Sequence, residues 1–204
     1  MPSADTHAAA PVARQAVTSE AVLDAALTLF AQRGYHGTAL SEIAENLGIR
    51  TPSLYNHMRS KQELLETIVD RALDGVLADF RAAVAEVDDP AVELRAAMRT
   101  YALRHATHRR EALVVNRDTA SLPEPARTVM RERRRDHERA VRAIITRGVE
   151  RGVFAVGDAA LASFAILEMS VSIARWFRDD GPRTAEQVAD EYAEFALRIV
   201  RYRP

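Results

Sequence analysis

The chain of 204 residues is 48% hydrophobic and carries 28 basic and 29 acidic side chains for a formal net charge of −1. That supports a substantial core in one or two domains and excludes polyanion binding by bulk charge. Cysteine is absent, which excludes disulfides, thiolate metal sites and cysteine nucleophiles. No uninterrupted apolar run reaches the ~20 residues of a membrane span, and no basic segment followed by an apolar core opens the chain, so the expected compartment is the cytoplasm, with no membrane partner. Alanine, leucine, arginine and glutamate dominate, and glycine and proline fall mostly between periodic segments. The predicted fold is all-α, with about nine helices.

Residues 1–18, rich in Ala, Pro, Ser and Thr, read as a disordered arm. Arg14 within it has the reach to enter a minor groove, although a solvated tail is the plainer reading. Val22, Ala26, Leu29 and Phe30 then mark a helix that Ser19 is placed to cap and that ends near Gly34. Leu40, Ile43, Ala44 and Leu47 form the face of a second helix, stopped by Gly48. Thr51 and Pro52 read as the N-cap and first residue of a third. Its Leu54 and Met58 are one turn apart and pack inward, leaving Ser53, Asn56 and His57 outward with hydrogen-bonding groups. Ser60 and Glu63 have capping-box spacing and open a long helix through Leu64, Leu65, Ile68, Ala72 and Val76 to about residue 85.

Two short helices joined by a glycine-bearing turn, the second without acidic side chains, form a helix-turn-helix suited to a DNA major groove. Thr51, Ser53 and Asn56 are the expected base-edge readers, with Pro52 in apolar contact. Thr38, Tyr55, His57 and Lys61 suit phosphates. Acids outnumber bases over residues 18–74, yet residues 49–61 contain Arg50, Arg59 and Lys61 and no acid, which confines positive potential to the turn and recognition helix. Lys61 is the only lysine in the chain.

Asp89 and Pro90 restart the helical pattern as cap and first residue, and Leu94, Met98, Tyr101 and His105 share one face of the helix that follows. A shorter helix runs through Ala112, Leu113 and Val115, and prolines at 123 and 125 separate it from a long one. In that helix Met130, His137, Val141, Ile144 and Gly148 form the inner face. Arg134 falls roughly inward, while Arg131 and Arg135 point to a mixed, solvated surface beside Glu132, Asp136 and Glu138. Residues 159–174 carry a single charge, Glu168, so that helix needs cover on both sides. A second capping box, Thr184 to Gln187, opens the last helix through Val188, Tyr192, Phe195, Ile199 and Val200. Pairing of the last two helices with their copies would make a four-helix homodimer interface.

Gly34, Tyr35, Thr38, Ile43, Ala44, Leu47, Gly48, Ile49, Ser53, Leu54, Tyr55, His57, Ser60, Lys61, Leu64 and Leu65 together resemble the signature of the TetR family of bacterial transcription regulators. Two positions depart from the family pattern: Ala39, where a second hydroxyl residue is usual, and Met58, where phenylalanine is. Glu111 to Leu113, Asn116, Arg117, Gly148, Gly152 to Phe154, Ala174 to Phe177 and Gly181 are similar to the TetR-like regulators of lipid, sterol and acyl-CoA breakdown. That resemblance implies a DNA-binding unit over residues 19–66, an effector and dimerisation domain over 67–204, and an acyl-CoA thioester or other lipid-derived anion as effector.

Tyr101, His105, Asn116, Arg134, His137, Glu168, Arg175 and Trp176 are the candidate pocket residues; each alone is more simply a core or interface residue, but together they point to a pocket. An arginine such as Arg134 or Arg175 suits an anionic ligand with a long apolar part. His105, His108 and Glu111 lie on adjacent turns, although three such residues on one helix rarely converge on a metal. No nucleophile elbow, phosphate loop or metal motif is present, so neither catalysis nor a cofactor is expected. The chain thus reads as a dimeric repressor of a near-palindromic operator, released by a small molecule. A constitutive regulator without effector and a metal-sensing regulator are the alternatives.

Overall fold

The computed structural model describes residues 17–203, so the arm predicted to carry Arg14 lies almost wholly outside the described residues. The described residues form α1 (Ser19–Arg33), α2 (Leu40–Asn46), α3 (Thr51–Leu54), α4 (Lys61–Val84), α5 (Pro90–Thr107), α6 (Arg109–Asp118), α7 (Glu124–Glu150), α8 (Ala159–Val171), α9 (Ile173–Trp176) and α10 (Ala185–Ile199). A 3₁₀ turn at Thr119–Ser121 joins α6 to α7. Because α9 resumes α8 after Ser172, the architecture is the all-α one expected, with about nine helices.

Side chains that satisfy the first free amides begin most of the long helices. Asp89 accepts from the Ala91 and Val92 amides at 2.8 and 3.0 Å, with Pro90 first in the helix. Thr184 and Gln187 form the reciprocal box predicted for α10. The α1 cap is Thr18 rather than Ser19, its hydroxyl accepting from the Ala21 amide at 3.1 Å. At α4 the box is offset: Ser60 accepts from the Glu63 amide at 3.1 Å, but the Glu63 carboxylate returns to the amide of Arg59 at 2.5 Å.

Val22, Ala26 and Phe30 of α1 meet Ile43, Leu54 and Leu65 in one buried cluster, with Met58 filling its place at 6% exposure. The same cluster continues along α4 through Leu73 to Val114, Val115 and Met130 of α6 and α7. Packing is therefore unbroken from the helix-turn-helix into the larger helical body. A second cluster joins Leu94 and Met98 of α5, Val141, Ile144 and Ile145 of α7, Ile166 of α8 and Leu197 of α10. Gly148 lets the Phe154 ring lie directly on α7, since a Cβ there would sit 2.0 Å from it.

The stretch Ala159–Trp176 has a mean hydropathy of 1.3 and is only 33% buried, long and apolar enough by length and composition to cross a membrane. Several of its large apolar side chains are exposed. Leu161 is 68% exposed, Phe164 52%, Trp176 47% and Phe195 38%, and Trp176 stacks on Tyr192 at 6.2 Å. Ion pairs Arg95–Glu194 and Arg99–Asp190 tie α10 to α5.

Candidate functional site

Two features stand out: the helix-turn-helix surface, and a cavity of about 510 Å³ in the larger body. At the first, Gly48 adopts φ of 65° and the amide of Ile49 donates to the Ala44 carbonyl at 3.0 Å, which turns the chain sharply out of α2. Arg50, in extended conformation, occupies the N-cap of α3 and makes no side-chain cap bond; Thr51 and Pro52 are already inside the helix, one position earlier than expected. The regular helix stops at Leu54, but amides of Asn56 and His57 still bond back to Ser53 and Leu54 at 3.3 and 2.8 Å, so one further turn continues. Tyr55 is 56% exposed, Pro52 and Asn56 are exposed, and Thr51, Ser53 and His57 are half-buried.

Thr38 departs from its expected place. Its side chain is 1% exposed and its hydroxyl donates to the Gly34 carbonyl at 2.9 Å, so it shapes the turn before α2 instead of facing a phosphate. Ala39 leaves α2 without a side-chain cap, and only the Glu42 carboxylate reaches back, accepting from the Ala39 amide at 2.7 Å. The Lys61 ammonium lies 4.4 Å from the centre of the Tyr35 ring and 5.9 Å from that of Phe30. Partial burial there lowers its pKa below the usual lysine value.

The cavity is walled by α4 through Ala72, Leu73, Val76 and Leu77, by α5 through Tyr101, Arg104 and His105, by α6 through Ala112, Val115 and Asn116, by α7 from Arg127 to Glu138, and by α8 through Phe164, Leu167 and Glu168. It brings together Tyr101, His105, Asn116, Arg134, His137 and Glu168 from the sequence candidates. Arg134 donates to the Asn116 amide oxygen at 2.9 Å, bridging α7 and α6 across it. Arg175 and Trp176 are not part of it: both are exposed on α9, beyond the cavity's last α8 residue, Val171.

Burial controls the chemistry of the inner wall. Tyr101, His105, His137 and Phe80 form an aromatic cluster with ring separations of 4.3 to 5.1 Å. Desolvation pushes the Tyr101 phenol up to about 12 and lowers both imidazoles to about 4, with Arg134 adding a smaller repulsion to each imidazole. All three are uncharged at neutral pH.

Sequence reasoning missed most of the cation supply. Arg104, Arg127 and Arg133 line the cavity, as do Arg131 and Arg135, which the expected surface role placed away from it. Positions 127, 131 and 134 recur at helical spacing beside Met130 and His137, a stripe that could have signalled this. Glu138 was expected at the surface but is 7% exposed, taking hydrogen bonds from Arg142 at 2.6 to 2.9 Å and from Ser163 at 2.5 Å. His105, His108 and Glu111 do not converge, and no group of three metal-ligating side chains is found among the described residues.

Cavity and DNA-facing unit are joined at two places. α4 runs from Lys61, beside the recognition helix, to the cavity wall. Next to Asn116, Arg117 donates to the carbonyls of Phe30 and Ala31 at the end of α1 and pairs with the buried Asp118 at 3.0 Å. A Cβ on Gly34, whose φ is 84°, would lie 3.6 Å from that guanidinium.

The profile described as bacterial regulatory proteins, tetR family, matches residues 22–68, and that described as tetracyclin repressor-like, C-terminal domain, matches residues 87–200. The transcriptional repressor KstR2 of Mycobacterium tuberculosis is 27% identical over 179 residues, covering 86% of this chain and 89% of that protein. Its solved structure, that of a ketosteroid transcriptional regulator, superposes with a TM-score of 0.85 over 95% of this chain and 100% of that one. PfmR of Thermus thermophilus is 38% identical, with a TM-score of 0.78 over 87% of this chain and 97% of that one. AibR, solved in complex with isovaleryl coenzyme A and operator DNA, is 26% identical, with a TM-score of 0.80 over 91% of this chain and 99% of that one.

Proposed function

Because the chain belongs to the TetR family, a DNA-binding transcription regulator and not an enzyme, we propose that it is a homodimeric repressor whose operator is released by an acyl-CoA thioester or related lipid-derived anion. The observation that carries this reading is the cavity: apolar side chains from four helices beside a stripe of arginines on α7. A ligand with an apolar chain and a polyanionic end matches both parts. KstR2 and AibR, the one a repressor and the other solved with a coenzyme A thioester and operator DNA, support the same class.

On this reading residues 19–66 engage DNA and residues 67–204 bind effector and partner. Thr51, Ser53 and Asn56 read base edges with Pro52 in apolar contact; Arg50, Tyr55, His57 and Lys61 hold phosphates. The apolar face of α8 and α10 pairs with its copy and sets the distance between the two recognition helices. An anion that takes Arg134 from Asn116 frees α6, while its chain presses on Val76 and Leu77 of α4. Both helices lead to α1 and the recognition helix, so the ligand favours a dimer whose half-site spacing no longer fits one turn of DNA.

Octanoyl-CoA is expected to raise the melting temperature of the dimer saturably, a stabilisation of about 2.7 kcal/mol at 100 times Kd. Arg134→Ala should reduce that shift, read from the variant's own starting melting temperature. A ligand of another class that stabilises the dimer where no acyl-CoA does would sink the lipid reading.

A further inference from the structure

His137 is 7% exposed, lines the cavity, and its Nε2 has no hydrogen-bond partner. A buried polar atom left unpaired costs stability, on the order of 1–3 kcal/mol. Nothing on the surrounding helices relieves it: Tyr101 and Phe80 offer their rings at 5.1 and 5.0 Å, an apolar boundary, not hydrogen-bonding groups. One turn of α5 away, His105 Nδ1 lies 2.8 Å from the Tyr101 carbonyl. A carbonyl only accepts, so that nitrogen carries the proton and His105 Nε2 is a bare acceptor. Two neutral imidazoles therefore stand in the wall of a chamber that an unbranched hydrocarbon chain would fill without using either.

We propose that His137 is a specificity-determining residue, and that this wall selects ligands bearing an uncharged oxygen function, a hydroxyl or a carbonyl, on their apolar portion. His137 Nε2 is the primary partner, accepting from a hydroxyl or donating to a carbonyl according to its tautomer; His105 Nε2 is the second acceptor. An uncharged oxygen suits these imidazoles, which burial keeps neutral and which offer a hydrogen bond without a charge. The arginines of α7 take the anion, and the imidazoles read what the carbon skeleton carries. A site built to hydrogen-bond an oxygen rejects the analogue lacking it far more strongly than it rejects a change of chain length.

This inference rests on the cavity being the effector site, and the test separates the two. Binding to the full-length dimer is measured for octanoyl-CoA, its 3-hydroxy, 3-oxo and 8-hydroxy derivatives, 1-octanol, 2-octanone and free coenzyme A. At least one oxygenated thioester is expected to bind about tenfold more tightly than octanoyl-CoA. His137→Phe should abolish or reverse that preference, and His137→Gln should keep part of it, the preference being read as a ratio of affinities within each variant. Equal or weaker binding of every oxygenated thioester, or a preference that survives in His137→Phe, overturns the proposal even if the phenylalanine variant is unstable, because the first comparison needs no variant. Binding of the alcohol or ketone with no thioester bound would defeat the acyl-CoA reading and leave the imidazole wall standing. Failure of every probe overturns both.

Discussion

Leu161→Glu combined with Phe195→Glu is expected to split the dimer and lower operator affinity by at least about 100-fold, because a charge placed in an apolar interface core costs several kcal/mol. The two side chains, one on α8 and one on α10, are 68% and 38% exposed. Only a third of Ala159–Trp176 is buried despite its hydropathy, and exposed large apolar side chains at one place mark an interaction surface. A palindromic operator needs two recognition helices at fixed separation, so a separated protomer keeps only half of the contacts. Sedimentation velocity and anisotropy on labelled operator check this. A variant that stays dimeric and binds normally would remove the interface from these helices.

Lys61→Ala should weaken binding to all sequences alike, by about tenfold or more, and flatten the dependence of log K on log salt by about 1.8, the signature of two lost phosphate contacts, one from each protomer. Asn56→Ala should instead change which operator variants are preferred, by about 1–3 kcal/mol at the affected base pair. The distinction follows from position. Asn56 is exposed on the turn that extends α3, whereas Lys61 opens α4 and is held over the Tyr35 ring at 4.4 Å. Titrations on operator variants at two salt concentrations separate the effects, and loss of base discrimination in the lysine variant would reverse the assignment.

Local signals made much of this fold legible. Asp89 with Pro90, and Thr184 with Gln187, act within four residues of themselves, so their caps could be read without knowing the fold. The Leu54 and Met58 spacing likewise located the buried side of the recognition turn. Adjacent hydroxyls defeated the same logic at Thr18 and Ser19, since either can cap and the helix phase decides. Glu138 needed a tertiary fact: Ser163 on α8 donates to it, which no pattern along α7 contains. Arg175 falls seven residues after Glu168, on the same side of a helix but ~10 Å further along the axis, and the cavity closes at Val171. Periodicity gives direction around a helix; the depth at which a cavity begins and ends depends on neighbouring helices, here α6, whose Arg109 bonds the Ala174 carbonyl at 3.2 Å. The α7 arginines failed in the opposite sense. A charge run is usually a solvated face, and only the convergence of α4, α5, α6 and α8 turned this one into a cavity wall.

Release of operator by a ligand in this cavity is tested by titrating octanoyl-CoA and its oxygenated derivatives into dimer bound to fluorescent operator. Saturable release by a thioester is expected, with no release by free coenzyme A and a weakened response in Arg134→Ala, scored as the fraction of that variant's own operator complex released. Operator that stays bound while the same thioester demonstrably occupies the cavity would contradict it.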